Sequence, residues 1–173
     1  MDRRVRRTRT EIGDAFVGLI IERGYDRVTV QDILDRADVG RSTFYAHFRD
    51  KEALLISCFD EVRDELAAAL ASRPPESPLP ASAVFEHAYR HRQVYRAMCG
   101  RPGGTIVQRH LHTMIATALR THLAPANGSG VPVEAAAEFY ASALLGLLTW
   151  WVGQDFPTSP KHIARLYGQL ALV

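Results

Sequence analysis

The thirteen residues "VGRSTFYAHFRDK" (39–51) bring cationic, hydroxyl and aromatic side chains together at an unusual density. In a helix, Phe44 and Phe48 lie four positions apart on one face, so both can anchor that helix in a core. The polar side chains at the start of the helix then face solvent: Arg41, Ser42, Thr43 and Tyr45. Such groups bind the phosphates and base edges of a DNA groove. The segment therefore predicts a nucleic-acid-binding helix.

Helical periodicity predicts further helices on both sides of this segment. Between Thr10 and Arg23 the apolar residues recur at i, i+3, i+4, i+7 and i+8, and Gly24 follows as a helix-ending glycine. A second helix starts at Thr29, where the pattern Thr-x-x-Asp resembles a capping box. After a break at 38–40 comes the helix with the two phenylalanines, and Asp50 caps the next helix. Two short helices joined by a tight turn and braced on both sides describe a helix-turn-helix module.

The remainder of the chain also reads as helical, and no strand-like alternation persists anywhere. The proline-rich segment "SRPPESPLPAS" (72–82) predicts a stiff linker. The helices predicted beyond it cover four ranges: roughly 82–99 with a bend near His91, 105–123, 133–153 and 161–171. We expect an all-α protein of about nine helices, with an N-terminal three-helix helix-turn-helix domain and a C-terminal helical domain. The predicted divisions are a basic arm (1–9), the DNA-binding domain (10–71), the linker (72–82) and the second domain (83–173).

Composition favours a cytoplasmic globular protein. The chain has 173 residues, is 47% hydrophobic and 23% charged, and carries a net charge of +2. No signal sequence is expected, because the first ten residues hold five arginines and lack an apolar stretch. Cys58 and Cys99 sit in apolar helical patterns without CxxC spacing, as core thiols in a reducing compartment do. The charge-free stretch 139–154 is short and partly polar, so we expect a buried helix and no membrane span.

The segment "TVQDILDRADVGRSTFYAHFRDKEALL" (29–55) resembles the DNA-binding signature of TetR-type transcriptional regulators. The shared features are a Thr-capped helix, a turn ending in Val, a helix with Phe-Tyr-x-His-Phe, and a Lys just before the Leu pair. The resemblance covers about 8–70. The range 82–173 resembles the family's ligand-binding and dimerisation domain in helix count and length, and its segment ending "LLGLLTWWVGQDFPTSP" is similar to a common C-terminal variant of the family. One departure is Asp38, which stands where the family usually has Gly. We expect a positive φ there, which Asp tolerates better than most residues.

The resemblance implies a DNA contact for several residues. Thr29 and nearby backbone N–H groups would bind a phosphate, and Arg41 would bind a base edge, most simply guanine O6 and N7. Ser42 and Thr43 would touch bases or phosphates, while the remaining helix positions would meet the DNA backbone: Tyr45, His47 and Lys51. The arm would add salt-dependent affinity, in the minor groove or along phosphates, through these residues: Arg3, Arg4, Arg6 and Arg7. The alternatives are that Tyr45 only packs, that His47 is a solvated side chain, and that the arm is a solvated tail.

The second domain is expected to form a homodimer. The helix predicted over 133–153 is apolar nearly all round, which is more than one small core needs to cover. Packed with the last helix against a second copy, it would form a four-helix interface. The predicted interface residues are Ala137, Ala141, Leu144, Leu148, Trp151, Ile163, Leu166, Tyr167 and Leu170. The alternative is a central helix buried within a monomer.

Members of this family also carry a small-molecule cavity in the second domain. The candidate wall residues are Phe85, Tyr89, Tyr95, Met98, Ile106, His110, Met114, Phe139 and Trp150. Their side chains suit an apolar or aromatic ligand with few charges. Aromatic and Met residues at helical spacing are also typical of a plain hydrophobic core, which is the alternative for each of them.

Metal and catalytic chemistry find little support in the sequence. His87 and His91 are four positions apart and can share a metal ion, but the chain has no carboxylate or cysteine at a supporting sequence spacing. His110 and His112 cannot share a helix face. We expect surface histidines, no metal site and no cofactor. Since no nucleophile triad, carboxylate pair or phosphate loop stands out, we expect no enzyme activity.

These observations predict a dimeric, ligand-responsive regulator that binds a pseudo-palindromic operator in double-stranded DNA. Repression is the usual mode of the family, so the resemblance implies a repressor released by its effector. The alternative is a DNA-binding regulator or activator whose second domain only dimerises and binds no small molecule.

Overall fold

Helices account for nearly all of the ranges 3–72, 80–99, 105–124 and 130–171, which the computed structural model describes. In the N-terminal half they are α1 (Arg3–Arg23), a 3₁₀ turn (Tyr25–Arg27), α2 (Val30–Ala37), α3 (Arg41–His47), α4 (Lys51–Ser57) and α5 (Asp60–Ala71). In the C-terminal half they are α6 (Ala81–Arg90), α7 (Arg92–Cys99), α8 (Thr105–Leu123), α9 (Val133–Gly153) and α10 (Pro160–Ala171). No strand occurs within these ranges, and the predicted all-α class is confirmed.

Local signals define the helix-turn-helix pair α2 and α3. Thr29 caps α2 with both halves of a capping box to Asp32, as the sequence predicts. Asp38 ends α2 in the left-handed region, with φ 52° and ψ 47°, and its N–H donates to the Leu34 carbonyl. This is the positive φ expected where the family has Gly, and it turns the chain into α3. Gly24 also has a positive φ, of 81°, as it leaves α1.

Two helix boundaries differ from the prediction. α1 begins at Arg3, so the residues expected to form an arm are its first turns. The helix capped by Asp50 breaks after Ser57 instead of continuing to α5. The Ser57 hydroxyl and the Cys58 thiol both donate back to the Leu54 carbonyl, which bends a helix. Most of the predicted proline-rich linker (73–79 of 72–82) lies outside the described residues.

The two halves share one continuous core. In the first half α1 packs on α2, and in the second α8 packs along α9 and α10 packs on α6. α1 also contacts α7, while α5 contacts both α6 and α8, so these two helices join the halves. Phe16, Phe44 and Leu54 are fully buried on the N-terminal side, and Phe85 and Trp151 are fully buried on the other.

α9 is the one helix within the described ranges that is long and apolar enough, by length and composition, to span a membrane. A core or interface helix of a soluble protein has the same properties. Ala137, Ala141, Leu144 and Leu148 of α9 are fully buried against the other helices, which accounts for one of its apolar faces.

Both cysteines are free thiols at the positions described by the structure. Cys99 is buried and Cys58 is half-buried. Burial raises the pKa of Cys58 to about 12 and that of Cys99 to about 11. Both thiols are therefore protonated at neutral pH and unreactive, as expected for core cysteines.

Candidate nucleic-acid interface and ligand cavity

α3 separates an anchoring face from a solvent face. Phe44 is fully buried and Phe48 nearly so, with their ring centroids 5.8 Å apart. The side chains predicted to contact DNA are on the other side of the helix: Arg41, Ser42 and Tyr45 are exposed, and Thr43 and His47 are partly exposed. The Tyr45 and Phe44 rings form an edge-to-face contact with their centroids 5.3 Å apart, and half of the Tyr45 side chain is exposed to solvent. The face predicted to read DNA is therefore accessible.

Arg41 is held in place by a hydrogen-bonded chain from α2. Its Nη2 donates to Gln31 Oε1 at 3.0 Å, and Gln31 Nε2 donates to Asp35 Oδ1 at 2.8 Å. Because its partner is a neutral amide, Arg41 keeps its charge for an external anion. Gln31 was not predicted from the sequence. Its position as a polar residue in the first helical turn of α2 is the signal that could have indicated it.

Several other cations of this domain already have carboxylate partners. Arg23 pairs with Asp32, Arg36 pairs with Glu22, and Arg49 pairs with Asp50. A further pair is Arg7 with Glu11 in α1, at 2.8 Å. Exposed pairs of this kind contribute little to stability, about 0–1 kcal/mol. They do, however, reduce the positive charge that these side chains present to DNA.

Thr29 has a complete set of partners inside the protein. Its hydroxyl donates to Asp32 Oδ2 at 2.6 Å and accepts from the Asp32 N–H at 3.1 Å. Hydrogen bonds from the Thr29 hydroxyl and N–H hold the pKa of Asp32 below its usual value. The hydroxyl is thus used by the cap, and a phosphate at this helix start would meet the backbone N–H groups of the first turn instead.

Lys51 lies in a different environment from the one predicted. Its Nζ donates to the carbonyls of Tyr25 and Val28, at 3.1 and 2.8 Å, and sits 4.2 Å from the centroid of the Tyr25 ring. Burial lowers its pKa. The ammonium therefore fixes the loop that precedes α2, and the predicted phosphate contact would have to compete with these bonds.

The residues predicted to form a basic arm are helical in the structure. The four predicted arginines (Arg3, Arg4, Arg6 and Arg7) lie in the first turns of α1 and are exposed. Cations at a helix N-terminus are unfavourable, because the helix dipole is positive there. Arg9, one turn further on, lies over the Phe48 ring at 4.8 Å, so the start of α1 adjoins the end of α3. The arginines are near the reading helix, but in helical rather than extended backbone.

The main apolar cavity, of about 740 Å³, lies between the α4–α5 segment and α8. Its lining is mostly apolar and includes Ile56, Phe59, Leu70, His110, Met114 and Thr117. Of the nine predicted wall residues, His110 and Met114 are among those that line it. The sequence reasoning missed the α5 wall, because exposed Ala and Thr positions on facing helices give no pattern of their own.

The other predicted wall residues lie elsewhere. Phe85 is core, with its ring against Trp151 at 5.5 Å, and Tyr95 and Met98 are buried. Ile106 packs at the edge of the core, and Tyr89 stacks on Trp151 at 6.1 Å. Three aromatics of the set are exposed: Tyr89 (42%), Phe139 (60%) and Trp150 (50%). Phe139 and Trp150 lie on an exposed face of α9.

The predicted dimer interface needs a similar correction. Seven of its residues are buried within the protomer: Ala137, Ala141, Leu144, Leu148, Trp151, Ile163 and Tyr167. Leu166 is half-buried and Leu170 is 67% exposed. The neighbouring face of α9 is the one left open, and we call its exposed stripe the α9 stripe: Phe139, Ala143, Gly146, Trp150 and Gly153. The helical periodicity predicted for α9 is observed, but the sequence did not indicate which of its two apolar faces packs within the protomer.

Polar contacts join α8, on the cavity wall, to the start of α4. The His110 ring nitrogen, on the cavity wall, is 2.6 Å from Glu52 Oε1 in the first turn of α4. Arg109 also donates to Glu52. Glu52 follows Lys51 directly in the chain, and Lys51 binds the loop before α2. Both Glu52 and this link were missed by the sequence reasoning, because their partners are distant in sequence.

Comparison with known proteins identifies relatives of both halves. Residues 12–58 match the family model described as "Bacterial regulatory proteins, tetR family", and residues 81–172 match "Transcriptional regulator C-terminal region". The HTH-type transcriptional regulator TcmR of Streptomyces glaucescens is 34% identical over 80 residues, which is 46% of this chain and 35% of TcmR. The chain thus spans about a third of the length of this curated relative.

Solved structures share the whole fold. The fatty acid degradation regulator FadR from Bacillus halodurans matches with a TM-score of 0.70 at 22% identity, covering 94% of this chain and 97% of that one. FadR from Bacillus subtilis, solved in complex with stearoyl-CoA, matches with a TM-score of 0.65 at 20% identity, covering 94% and 96%. At these identities the likeness shows the fold alone.

Proposed function

We propose that this chain, which belongs to the TetR family of bacterial transcriptional regulators, binds a pseudo-palindromic operator as a cytoplasmic homodimeric repressor. The observation that carries the proposal is α3, whose phenylalanines are buried while Arg41, Ser42 and Tyr45 remain exposed. A helix supported in this way can enter the major groove of DNA with its N-terminal residues.

Arg41 is the main base-reading residue of the proposal. Gln31 positions the Arg41 guanidinium without neutralising its charge. The guanidinium N–H groups that do not bind Gln31 can therefore donate to guanine O6 and N7. Ser42 and Thr43 lie beside it for bases or phosphates, and Tyr45 and His47 for the DNA backbone. The backbone N–H groups after Thr29 provide a further phosphate site.

A second copy of the chain is the proposed partner for the α9 stripe. Its small residues, Ala143, Gly146 and Gly153, let another helix approach closely, and Phe139 and Trp150 supply large apolar surfaces. A two-fold axis along this face would pair two copies of α9, with Leu166 and Leu170 of α10 extending the contact. A single helix-turn-helix module binds DNA weakly. The proposed dimer would present two copies of α3 to the same operator.

An apolar small molecule in the cavity between α5 and α8 is the proposed effector. FadR from Bacillus subtilis, which shares the fold, was solved with stearoyl-CoA. A long apolar chain suits the lining here, and His122 at the wall suits an anionic end group. A ligand that displaces His110 would release Glu52, and through α4 would move Lys51 and the loop that positions α2.

DNA binding is tested by fluorescence anisotropy with a duplex from the region upstream of the chain's own gene. We expect two protomers to bind each duplex. The affinity should fall steeply as the salt concentration rises, because phosphate contacts release counterions. A scrambled duplex of equal composition is the control. Equal affinity for both duplexes at every salt concentration would exclude sequence-specific recognition.

Ligand binding is tested by thermal shift and by release of the duplex, with stearoyl-CoA and stearate as probes. Ala67→Phe fills the cavity wall, and Ala68→Phe adds the same bulk at an exposed position outside it. We expect a ligand-induced rise in Tm that the first variant abolishes and the second retains. If no apolar probe stabilises the protein or releases DNA, the alternative of a C-terminal domain that only dimerises is favoured.

A further inference from the structure

A second cavity, of about 540 Å³, lies where α1 meets the C-terminal domain. Its walls come from the start of α1, the end of α3, α5 and the α6–α7 segment. Three metal-ligating side chains project into it: Glu61 from α5, His87 from α6, and His91 at the junction of α6 and α7. The DNA-binding and effector proposals use none of these residues.

The three side chains are already close to a common point. One ligand atom from each residue lies within 4.8 Å of the other two. The two imidazoles are one helical turn apart, with ring centroids separated by 4.5 Å, and His91 Nε2 is 3.7 Å from Glu61 Oε2. Glu61 comes from the neighbouring helix, so its role could not be found from sequence spacing.

We propose that Glu61, His87 and His91 form a binding site for a divalent transition-metal ion, with Zn²⁺ as the ion that this donor set fits best. Two imidazoles and one carboxylate are ligands that zinc accepts, at about 2.0–2.2 Å from the metal. Side-chain rotations would close the remaining gap, since Glu61 and His91 are 60% and 40% exposed and therefore free to turn. This proposal differs from the sequence-based expectation of no metal site.

The surroundings of His87 support a ligand role over a plain core role. His87 is 5% exposed and is the one buried polar or charged residue among the described positions. Glu65 Oε2 is 3.4 Å from His87 Nδ1, where a carboxylate can orient a metal-binding imidazole.

Tyr95 supplies a second, independent observation. Its side chain lines the same cavity and its ring is 5.9 Å from that of His87. Its hydroxyl is buried and has no hydrogen-bond partner among the described residues. Buried hydroxyls are rarely left unpaired, so an unpaired one on a residue that contacts the His87 ring and lines this cavity indicates a site for a polar guest. Three protein ligands leave one coordination position that a metal-bound water can fill.

Zinc binding is measured on the full, tag-free chain after removal of metal with EDTA, in competition with a chromophoric chelator. We expect one equivalent of Zn²⁺ per chain, and Co²⁺ in its place should give the intense visible absorption of a tetrahedral site. His91→Gln and Glu61→Gln alter partly exposed residues, so both should fold. Each should weaken Zn²⁺ binding on the order of 100-fold, as loss of a ligand costs at least as much as loss of its supporting partner.

The chain offers matched controls in His112 and Glu138, whose His–carboxylate contact of 3.5 Å has no second histidine. His112→Gln and Glu138→Gln should leave zinc affinity unchanged, and circular dichroism melts check that all four variants fold. The proposal is overturned if the wild-type chain binds no stoichiometric Zn²⁺. It is also overturned if the control variants weaken binding as much as the site variants, or if Glu61→Gln leaves it unchanged.

Discussion

α3 and α9 both carry aromatic residues on two faces, but they expose opposite chemistry. α3 buries Phe44 and Phe48 and presents Arg41 and hydroxyl groups to solvent. α9 buries Trp151 and presents Phe139 and Trp150, with small residues between them. The difference indicates two kinds of partner: a polar, anionic one for α3 and an apolar protein surface for α9.

The largest difference between the two helices should appear in the free energy of unfolding when one phenylalanine of each is truncated to alanine. Phe44→Ala removes a fully buried ring and should lower the free energy of unfolding by about 3–5 kcal/mol. Phe139→Ala removes a ring that is 60% exposed, and should change it by less than about 0.5 kcal/mol at concentrations where the chain is monomeric. Urea unfolding at several protein concentrations measures both. Equal losses at low concentration would mean that Phe139 supports the protomer and is not held for a partner.

A charge on the α9 stripe should break the dimer and leave the protomer folded. Trp150→Glu places a carboxylate where a second copy is proposed to pack, and truncation of such interface aromatics typically costs about 2 kcal/mol or more of association. Val131→Glu, at a residue that is 51% exposed but outside the stripe, is the control. Sedimentation velocity should show monomers for the first variant only. A dimer that survives Trp150→Glu would place the interface on another surface.

On α3, loss of the reading residue should affect DNA and not stability. Arg41→Ala should weaken binding to the specific duplex by about 1–3 kcal/mol, because a base contact is lost. Arg36→Ala is the matched control: Arg36 is already paired with Glu22, at 2.7 Å, and should change affinity little. Anisotropy with specific and scrambled duplexes measures both. Wild-type affinity in Arg41→Ala would remove Arg41 from the proposed base contacts.

The two helices also show how far the sequence predicts the structure. Around α3 the signals are local: Thr29 and Asp32 form the expected cap, Asp38 has the expected positive φ, and the Phe44–Phe48 spacing sets the buried face. These contacts lie within a few residues of each other, so their geometry follows from helix periodicity and turn preferences. The pair α2 and α3 was therefore predictable from local signals, whereas the start of α1 and the break between α4 and α5 were not.

Features made by distant contacts were not predictable in the same way. Trp151 and Trp150 are adjacent and equally apolar, yet one is fully buried and the other half exposed, because Phe85 and Tyr89 of α6 pack against the Trp151 ring. Lys51 was expected on a phosphate and instead binds the carbonyls of Tyr25 and Val28. Glu61 joins the two histidines only because α5 packs on α6.

The smallest expected effect concerns the turn between α2 and α3. Asp38 has φ 52°, a conformation that costs an L-residue about 1–2 kcal/mol and Gly almost nothing. Asp38→Gly relieves this strain but makes the unfolded chain more flexible, so we expect a net gain in stability of about 0.5 kcal/mol or less. Asp38→Ala keeps the strain and loses the tolerance of Asp for this region, and should be about 1 kcal/mol less stable than Asp38→Gly.

Thermal unfolding ranks the wild type, Asp38→Gly and Asp38→Ala. Asp35→Gly, in the interior of α2, is the control and should lose about 0.3 kcal/mol, because glycine is a poorer helix former than aspartate. DNA affinity should stay the same in Asp38→Gly, because glycine can hold the same φ and so keeps α3 at the same angle to α2. If Asp38→Ala proved as stable as Asp38→Gly, the left-handed turn would not limit stability, and the angle between the helices would have to be set by Phe44 and its neighbours in the core.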